Sequence, residues 1–254
     1  MTVIRCVLIL CAVLIASNAL GAGFSYDRNF IVLSDDQQIT DGVLTKANEY
    51  RRQIAKEWLG QELPEGVVRT TIHVEISADE DRGFTWPVDP SDGGFHKTWL
   101  VTSREKAMGS TLHHEIAHSV LNSRHADALP VFIEEGIASQ YDDPVRRART
   151  PARPVQLARL LASKSIPARD QDTYAAATSL VEFLLTKGSK QKVVEFAMAG
   201  KAHGWDAALR QHYRIESVSE LEHAWQAWTR QTAQTLRAPV RTSDSRLDGT
   251  ARLR

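Results

Sequence analysis

The spacing of hydrophobic residues divides the chain into a half of mixed strand and helix and a half of helices alone. In the first half, apolar residues recur at helical spacing over residues 35–59, and Gly60 marks the end of that helix. Apolar and polar residues alternate over residues 67–76, as expected of a half-buried strand. Shorter apolar segments predict further strands over residues 29–33 and 96–102.

From residue 110 onward the periodicity is helical throughout. In the last segment, Leu221, Trp225 and Trp228 form an apolar stripe that we interpret as core packing. The pattern therefore predicts an α+β fold: a small N-terminal sheet with one long helix over residues 23–108, then a mainly helical part over residues 109–237. The predicted helices of the second part span residues 110–122, 130–141, 155–163, 172–187, 190–199, 203–213 and 217–234.

Targeting features precede the first strand. Arg5 is followed by an unbroken apolar run from Cys6 to Ala16, and small residues then recur up to Gly23, which is the layout of a secretory signal peptide cleaved near residues 19–22. The run has 11 residues, fewer than the roughly 20 that a membrane-spanning helix needs. The sequence predicts export to the periplasm or the medium after loss of residues 1–22, with an uncleaved membrane anchor as the alternative. At the other end, residues 238–254 lack periodicity and are predicted to be a disordered tail.

Composition narrows the classes of function. Apolar residues make up 43% of the chain, and 31 basic residues balance 31 acidic ones, as in an ordinary globular protein. The balance gives no electrostatic reason to expect nucleic acid or an anionic membrane as a partner. The two cysteines, Cys6 and Cys11, lie in the predicted signal peptide. Cysteine catalysis and cysteine metal sites are therefore excluded for the mature chain.

The residues that indicate chemistry are His114, Glu115 and His118, which form the pattern H-E-x-x-H on a predicted helix. Positions i and i+4 lie one turn apart on the same helix face, so both imidazoles can reach one metal ion. Glu115 can then accept a proton from a water at that ion, which is what a zinc hydrolase requires. The neighbouring His113 lies about 100° away round the helix and is predicted to be structural.

A catalytic zinc site needs a third protein ligand. The extended zinc-site pattern H-E-x-x-H-x-x-G-x-x-H, in which a third histidine is the ligand, requires glycine and histidine where this chain has Leu121 and Arg124. A site with three histidine ligands is therefore not expected. Glu134 and Glu135 lie on the next predicted helix, and helical periodicity alone does not choose between them. Gly136 has no side chain, which we expect to let this helix pack closely on the helix of the motif.

The motif, followed after a short gap by P-x-x-x-x-E-G-x-A at Pro130–Ala138, resembles the gluzincin metallopeptidases, and more narrowly the bacterial exported peptidase MA-like family. The resemblance implies that Glu135 is the third ligand of a single zinc ion per chain and that Glu115 is the general base. It also implies a peptide or protein substrate. Glu134 would then lie about 100° round the helix and face solvent or a neighbouring loop.

Further expectations come from the same resemblance. The segment from Tyr174 to Gly188 is similar to a helix of that family, which makes Tyr174 a candidate donor to the oxyanion, although a packing role at a helix start is as plausible. Thr98–Thr102 is either an edge strand that pairs with the substrate or an ordinary core strand. Thermolysin-type enzymes place an acidic residue four positions after the ligand glutamate, where this chain has Ser139.

The function predicted from the sequence is thus an exported zinc metallopeptidase with the site between the two halves. The G-x-M-E-N signature of aminopeptidases is absent, which favours an endopeptidase. Two alternatives stay open: a non-catalytic binding module, and a zinc amidase that acts on a cell-wall amide. No oligomeric state is predicted. Five scattered acidic residues match no calcium loop and are interpreted as solvated: Asp79, Glu80, Asp81, Asp89 and Asp92.

Overall fold

A computed structural model describes residues 23–67, 69–86, 96–125, 129–167 and 169–237. The predicted signal peptide, residues 1–22, and the predicted tail, residues 238–254, lie outside the described residues. The α+β fold class is confirmed: a small mixed sheet and a long helix are followed by a mainly helical half. Among the helices described, none is both long enough and apolar enough to cross a membrane.

In the part of the chain that the structure describes, five strands form one sheet in the order β1-β2-β3-β5-β4. The three inner strands run parallel, and each edge strand runs antiparallel to its neighbour. The strands are β1 (Gly23–Tyr26), β2 (Phe30–Ser34), β3 (Thr70–Ile76), β4 (Arg82–Trp86) and β5 (His96–Thr102).

The sheet order decides one of the open alternatives. Strand β5 pairs with β3 on one side and β4 on the other, so Thr98–Thr102 belongs to an inner strand. The hypothesis that this segment is a substrate-pairing edge strand is therefore wrong. The edge strand at this side is β4, which the sequence analysis did not predict, because its sequence Arg-Gly-Phe-Thr-Trp lacks a run of apolar residues.

Helix α1 (Gln37–Leu59) packs on strands β1 and β2 of the sheet. The Asp36 side chain accepts hydrogen bonds from the first backbone amides, and Gly60 ends the helix in a left-handed conformation, with φ of 73°. The remaining helices are α2 (Ser110–His125), α3 (Val131–Ala138), α4 (Pro144–Arg147), α5 (Leu157–Ala162), α6 (Gln171–Leu185), α7 (Lys190–His203), α8 (Trp205–Tyr213) and α9 (Val218–Arg237).

Helix α2 connects the two halves. It packs against α1 and strand β4 on one side and against α3 on the other. Its apolar residues Leu112, Ile116 and Leu121 are fully buried in the shared core. The residues of the motif are therefore carried on a helix that is fixed by hydrophobic contacts from both halves.

Gly136, the glycine of the segment P-x-x-x-x-E-G-x-A, packs against a different helix from the one expected. A Cβ atom on Gly136 would lie 2.5 Å from the carbonyl oxygen of Ala177 and 2.5 Å from Cγ2 of Val181, both on α6. Backbone oxygen cannot move aside easily, so the missing side chain is what admits α6. The expectation that Gly136 allows close packing on the motif helix is thus wrong, and the contact instead brings Tyr174 of α6 towards the motif.

The last helix behaves as the sequence predicts. Trp225 is buried and its Nε1 donates a hydrogen bond to Ser179 on α6 at 3.1 Å. Trp228 is half-buried against Phe183, with ring centroids 5.7 Å apart. The interpretation of these tryptophans as core packing is confirmed.

Candidate metal centre

Three side chains from two helices converge at one point. His114 and His118 follow each other by one turn on α2, with their Nε2 atoms 3.2 Å apart. Oε2 of Glu135, from α3, lies 3.8 Å from Nε2 of His114 and 3.6 Å from Nε2 of His118. Tetrahedral ligands at about 2.0–2.1 Å from a metal are themselves separated by roughly 3.4 Å. His114, His118 and Glu135 therefore form a group that could hold a metal ion.

Glu134 also points into the protein. Its Oε1 lies 2.7 Å from Nδ1 of His118 and accepts a hydrogen bond from Nδ2 of Asn122 at 2.9 Å. The expectation that Glu134 faces solvent or a neighbouring loop is wrong, because α3 packs on α2 so that both glutamates contact that helix. Glu135 approaches the Nε2 side of the imidazoles, and Glu134 holds the opposite nitrogen of His118. A carboxylate in that position fixes the orientation of the ring and makes it a better ligand.

The electrostatics of the cluster favour a cation. Burial lowers the pKa of His118, but the neighbouring carboxylates of Glu135, Glu134 and Glu115 outweigh it and raise the pKa to about 10. Burial raises the pKa of Glu135, despite the nearby imidazoles. Several buried carboxylates around two imidazoles stabilise positive charge at their centre, which a bound metal cation supplies.

A second acidic residue lies beside His114. Oδ1 of Asp142 lies 3.1 Å from Nδ1 of His114, within ion-pair distance, although the contact falls outside hydrogen-bond geometry. Burial lowers the pKa of His114, but the carboxylates of Asp142 and Glu115 together outweigh it, so the pKa is raised. Thermolysin-type enzymes have an acidic residue at the position that Ser139 occupies here. Asp142 lies three residues further on, directly after the 3-10 turn Ser139–Tyr141. The acidic partner of the first histidine is thus present but displaced along the chain.

This arrangement predicts a measurable role for Glu134. We expect Glu134→Ala to weaken metal binding by about 10- to 100-fold, because His118 loses the carboxylate that orients it. Chelator competition on the purified proteins gives the affinity, with exposed Glu75 of β3 replaced in the control Glu75→Ala. A loss no greater than that of the control would contradict the role, and a loss as large as that of Glu135→Ala would make Glu134 a ligand.

Glu115 is held against the wall of the site by the edge strand. The side chain is buried, and its Oε2 accepts a hydrogen bond from Oγ1 of Thr85 at 2.7 Å. Oγ1 of Thr85 lies 3.0 Å from Oγ1 of Thr98 on the neighbouring strand. A Cβ atom on Gly83 would lie 2.5 Å from both Cγ and Oε1 of Glu115. In strand β4, Thr85 thus anchors the carboxylate and Gly83 leaves space for it. Neither contact was predicted, because the strand itself was not predicted.

The cluster opens into a cleft of about 390 Å³ between β4, α2, α3 and α6. Tyr174 lines this cleft, as the resemblance implied. Burial raises the pKa of the Tyr174 phenol, and the carboxylates of Glu135 and Glu115 raise it further. The phenol therefore keeps its proton at neutral pH and can act as a hydrogen-bond donor.

Two other predicted residues lie outside the cluster. The His113 ring is stacked between Tyr50 and Tyr141, with centroid distances of 3.8 and 4.1 Å, so its predicted structural role agrees with its position. Asp81 accepts hydrogen bonds from the hydroxyls of Thr102 and Thr111 at 3.1 and 2.7 Å. Its interpretation as a solvated loop residue is therefore wrong.

Of the other acidic residues, Asp79 and Glu80 are exposed, in agreement with that interpretation. Asp89 and Asp92 lie outside the described residues.

Comparisons of the chain with protein-family models, with curated proteins and with solved structures give no match. The resemblance to the gluzincins therefore depends on the motifs in the sequence, and the metal site depends on the geometry described above.

Proposed function

We propose that this protein is a zinc-dependent metallopeptidase and, more narrowly, an endopeptidase. The observation that carries the proposal is the position of Glu115, a carboxylate that is not one of the three grouped ligands and is held beside them by Thr85. A site that only stored a metal would have no need of it. Two imidazoles and one carboxylate, leaving a fourth position open, are the ligand set of a catalytic zinc.

The chemistry divides among the residues of the cleft. His114, His118 and Glu135 would hold the zinc ion, which when bound would supply Lewis-acid polarisation of the scissile carbonyl and would lower the pKa of water. Glu115 accepts the proton of the attacking water and then delivers it to the leaving amine. Tyr174 donates its phenolic hydrogen to the oxygen on which negative charge develops.

An extended peptide is the substrate that this cleft fits. Among the described residues, strand β4 pairs with β5 alone, and its residues Gly83 and Thr85 line the cleft beside Glu115. An extended segment can add to such an edge through backbone hydrogen bonds, whatever its sequence. The signal-like residues 1–22 support action outside the cytoplasm.

The proposal is tested by hydrolysis with the purified protein loaded with zinc. We expect cleavage of casein and of internally quenched peptides, loss of activity with a chelator, and recovery when zinc is restored. A protein that binds zinc but leaves all peptides intact would overturn the peptidase assignment. Cleavage of peptidoglycan fragments alone would favour the cell-wall amidase, and inactivity on both substrates would favour the binding module.

A further inference from the structure

The cleft contains three arginines that differ in their partners. Arg82 lies 2.5 Å from the carboxylate of Glu80, and Arg146 lies 3.4 Å from that of Asp81. Arg149 also lines the cleft, but among the described residues no carboxylate lies within ion-pair distance of it. Among the described residues its positive charge has no ion-pair partner, and it adds only to the backbone hydrogen bonds of Arg146 and Val145 in lowering the pKa of Asp143.

Arg149 is nevertheless held in a definite place. One guanidinium nitrogen donates a hydrogen bond to Oε1 of Gln171 at 2.8 Å. Gln171 is the first residue of α6 and lies three residues before Tyr174, which corresponds to roughly 4.5 Å along the helix axis. The cation thus contacts the wall of the cleft that carries Tyr174, and the same cleft is lined by the metal cluster.

The chemistry of the group indicates what it binds. A guanidinium has five N–H donors in a planar fork, and the contact with Gln171 uses one of them. The remaining donors match the two oxygens of a carboxylate, which is the bidentate pairing that arginine favours. The side chain is exposed, so an incoming carboxylate can reach it.

We propose that Arg149 is a specificity-determining residue that binds a carboxylate of the substrate near the scissile bond. This inference rests on the proposed peptidase function. The carboxylate belongs either to an aspartate or glutamate side chain of the substrate or to its free C-terminus, since both present the same two oxygens. In either case the enzyme prefers a negatively charged substrate at one position in the cleft.

The experiment compares quenched peptides of one sequence in which each position around the scissile bond carries glutamate or glutamine. A second pair differs only in a free or amidated C-terminus. We expect the wild-type protein to prefer the carboxylate at one position by about tenfold in kcat/KM, which corresponds to one charge-assisted hydrogen-bonded pair. Arg149→Gln should remove the preference, and Arg149→Glu should shift it towards lysine at that position.

A neighbouring arginine provides the matched control. Arg147 lies 3.9 Å from Glu182, donates to the backbone of Gln140 and does not line the cleft. Arg147→Gln should keep the preference for the carboxylate. A preference that persists in Arg149→Gln, or an active wild-type protein with no such preference, would overturn the proposal.

A binding measurement separates this inference from the proposed function. Fluorescence anisotropy of labelled glutamate and glutamine peptides on the Glu115→Gln protein needs no turnover. If the wild-type protein hydrolyses no peptide, the peptidase function fails. Tighter binding of the glutamate peptide that is lost when Arg149→Gln is added would still support the carboxylate site, and equal binding of both peptides would reject it.

Discussion

Glu115→Gln is expected to keep its metal and to lose peptide hydrolysis by about 10²- to 10⁴-fold in kcat, the typical contribution of general-base assistance. Glutamine has the same shape and can retain the contact with the hydroxyl of Thr85, which lies 2.7 Å from Oε2 in the wild-type protein. It cannot accept the proton of the attacking water. The measurement pairs steady-state kinetics with the metal content of the same preparation.

The control for this variant is Glu75→Gln, which changes an exposed glutamate on the outer face of the sheet. It should leave both the metal content and kcat unchanged. If Glu115→Gln retained kcat within about threefold of the wild type, the loss would be far below that of a general base, and another group would have to take the proton. If it lost the metal, Glu115 would belong to the ligand set.

His118→Ala should abolish tight metal binding. His118 is one of three grouped side chains, and its removal leaves one imidazole and one carboxylate, fewer than the three protein ligands of a catalytic zinc site. The loss in affinity should exceed the roughly 10- to 100-fold expected when only an orienting partner is removed. Competition with a chromophoric chelator measures the affinity.

A second histidine outside the site serves as the control. His73 lies on β3 and stacks on Trp99 of the sheet, with centroids 5.6 Å apart. His73→Ala should retain the wild-type affinity for the metal. Full metal retention in His118→Ala would show that the ion is bound at another place in the protein.

The two histidines of the cluster could be predicted from the sequence because their geometry is local, whereas periodicity alone did not choose between Glu134 and Glu135 as the third ligand. His114 and His118 are placed together by a single helix turn, and this requires only that the helix forms. The long helices were predictable for a similar reason, since many residues contribute to one period. Strand β5, over residues 96–102, has the bounds that the sequence predicts.

Neighbours across the fold could not be predicted in this way. Periodicity shows which residues share a helix face, but it does not show which element packs on that face. Gly136 and Glu134 are examples: the first faces α6, and the second reaches His118. Asp142 approaches His114 only because a 3-10 turn follows α3, and no motif spacing indicates that turn.

Strand β4 shows a second limit. Its aromatic residues Phe84 and Trp86 are 45% and 49% exposed, so the strand lacks the apolar face that marks a buried one. It is short, lies at the edge and contains a glycine, all of which weaken a sequence signal for a strand. The strand that fixes Glu115 is therefore the element that a hydrophobic pattern is least able to reveal.

The close approach of Gly83 to Glu115 has an evolutionary consequence. A single methyl group at residue 83 would occupy the space of the glutamate side chain while leaving His114, His118 and Glu135 untouched. A descendant with alanine at this position would keep the complete H-E-x-x-H signature and the three grouped side chains, yet would lose the placement of Glu115. Under the proposed function, one codon change in the sheet, outside the H-E-x-x-H motif, would then convert an active enzyme into a pseudoenzyme.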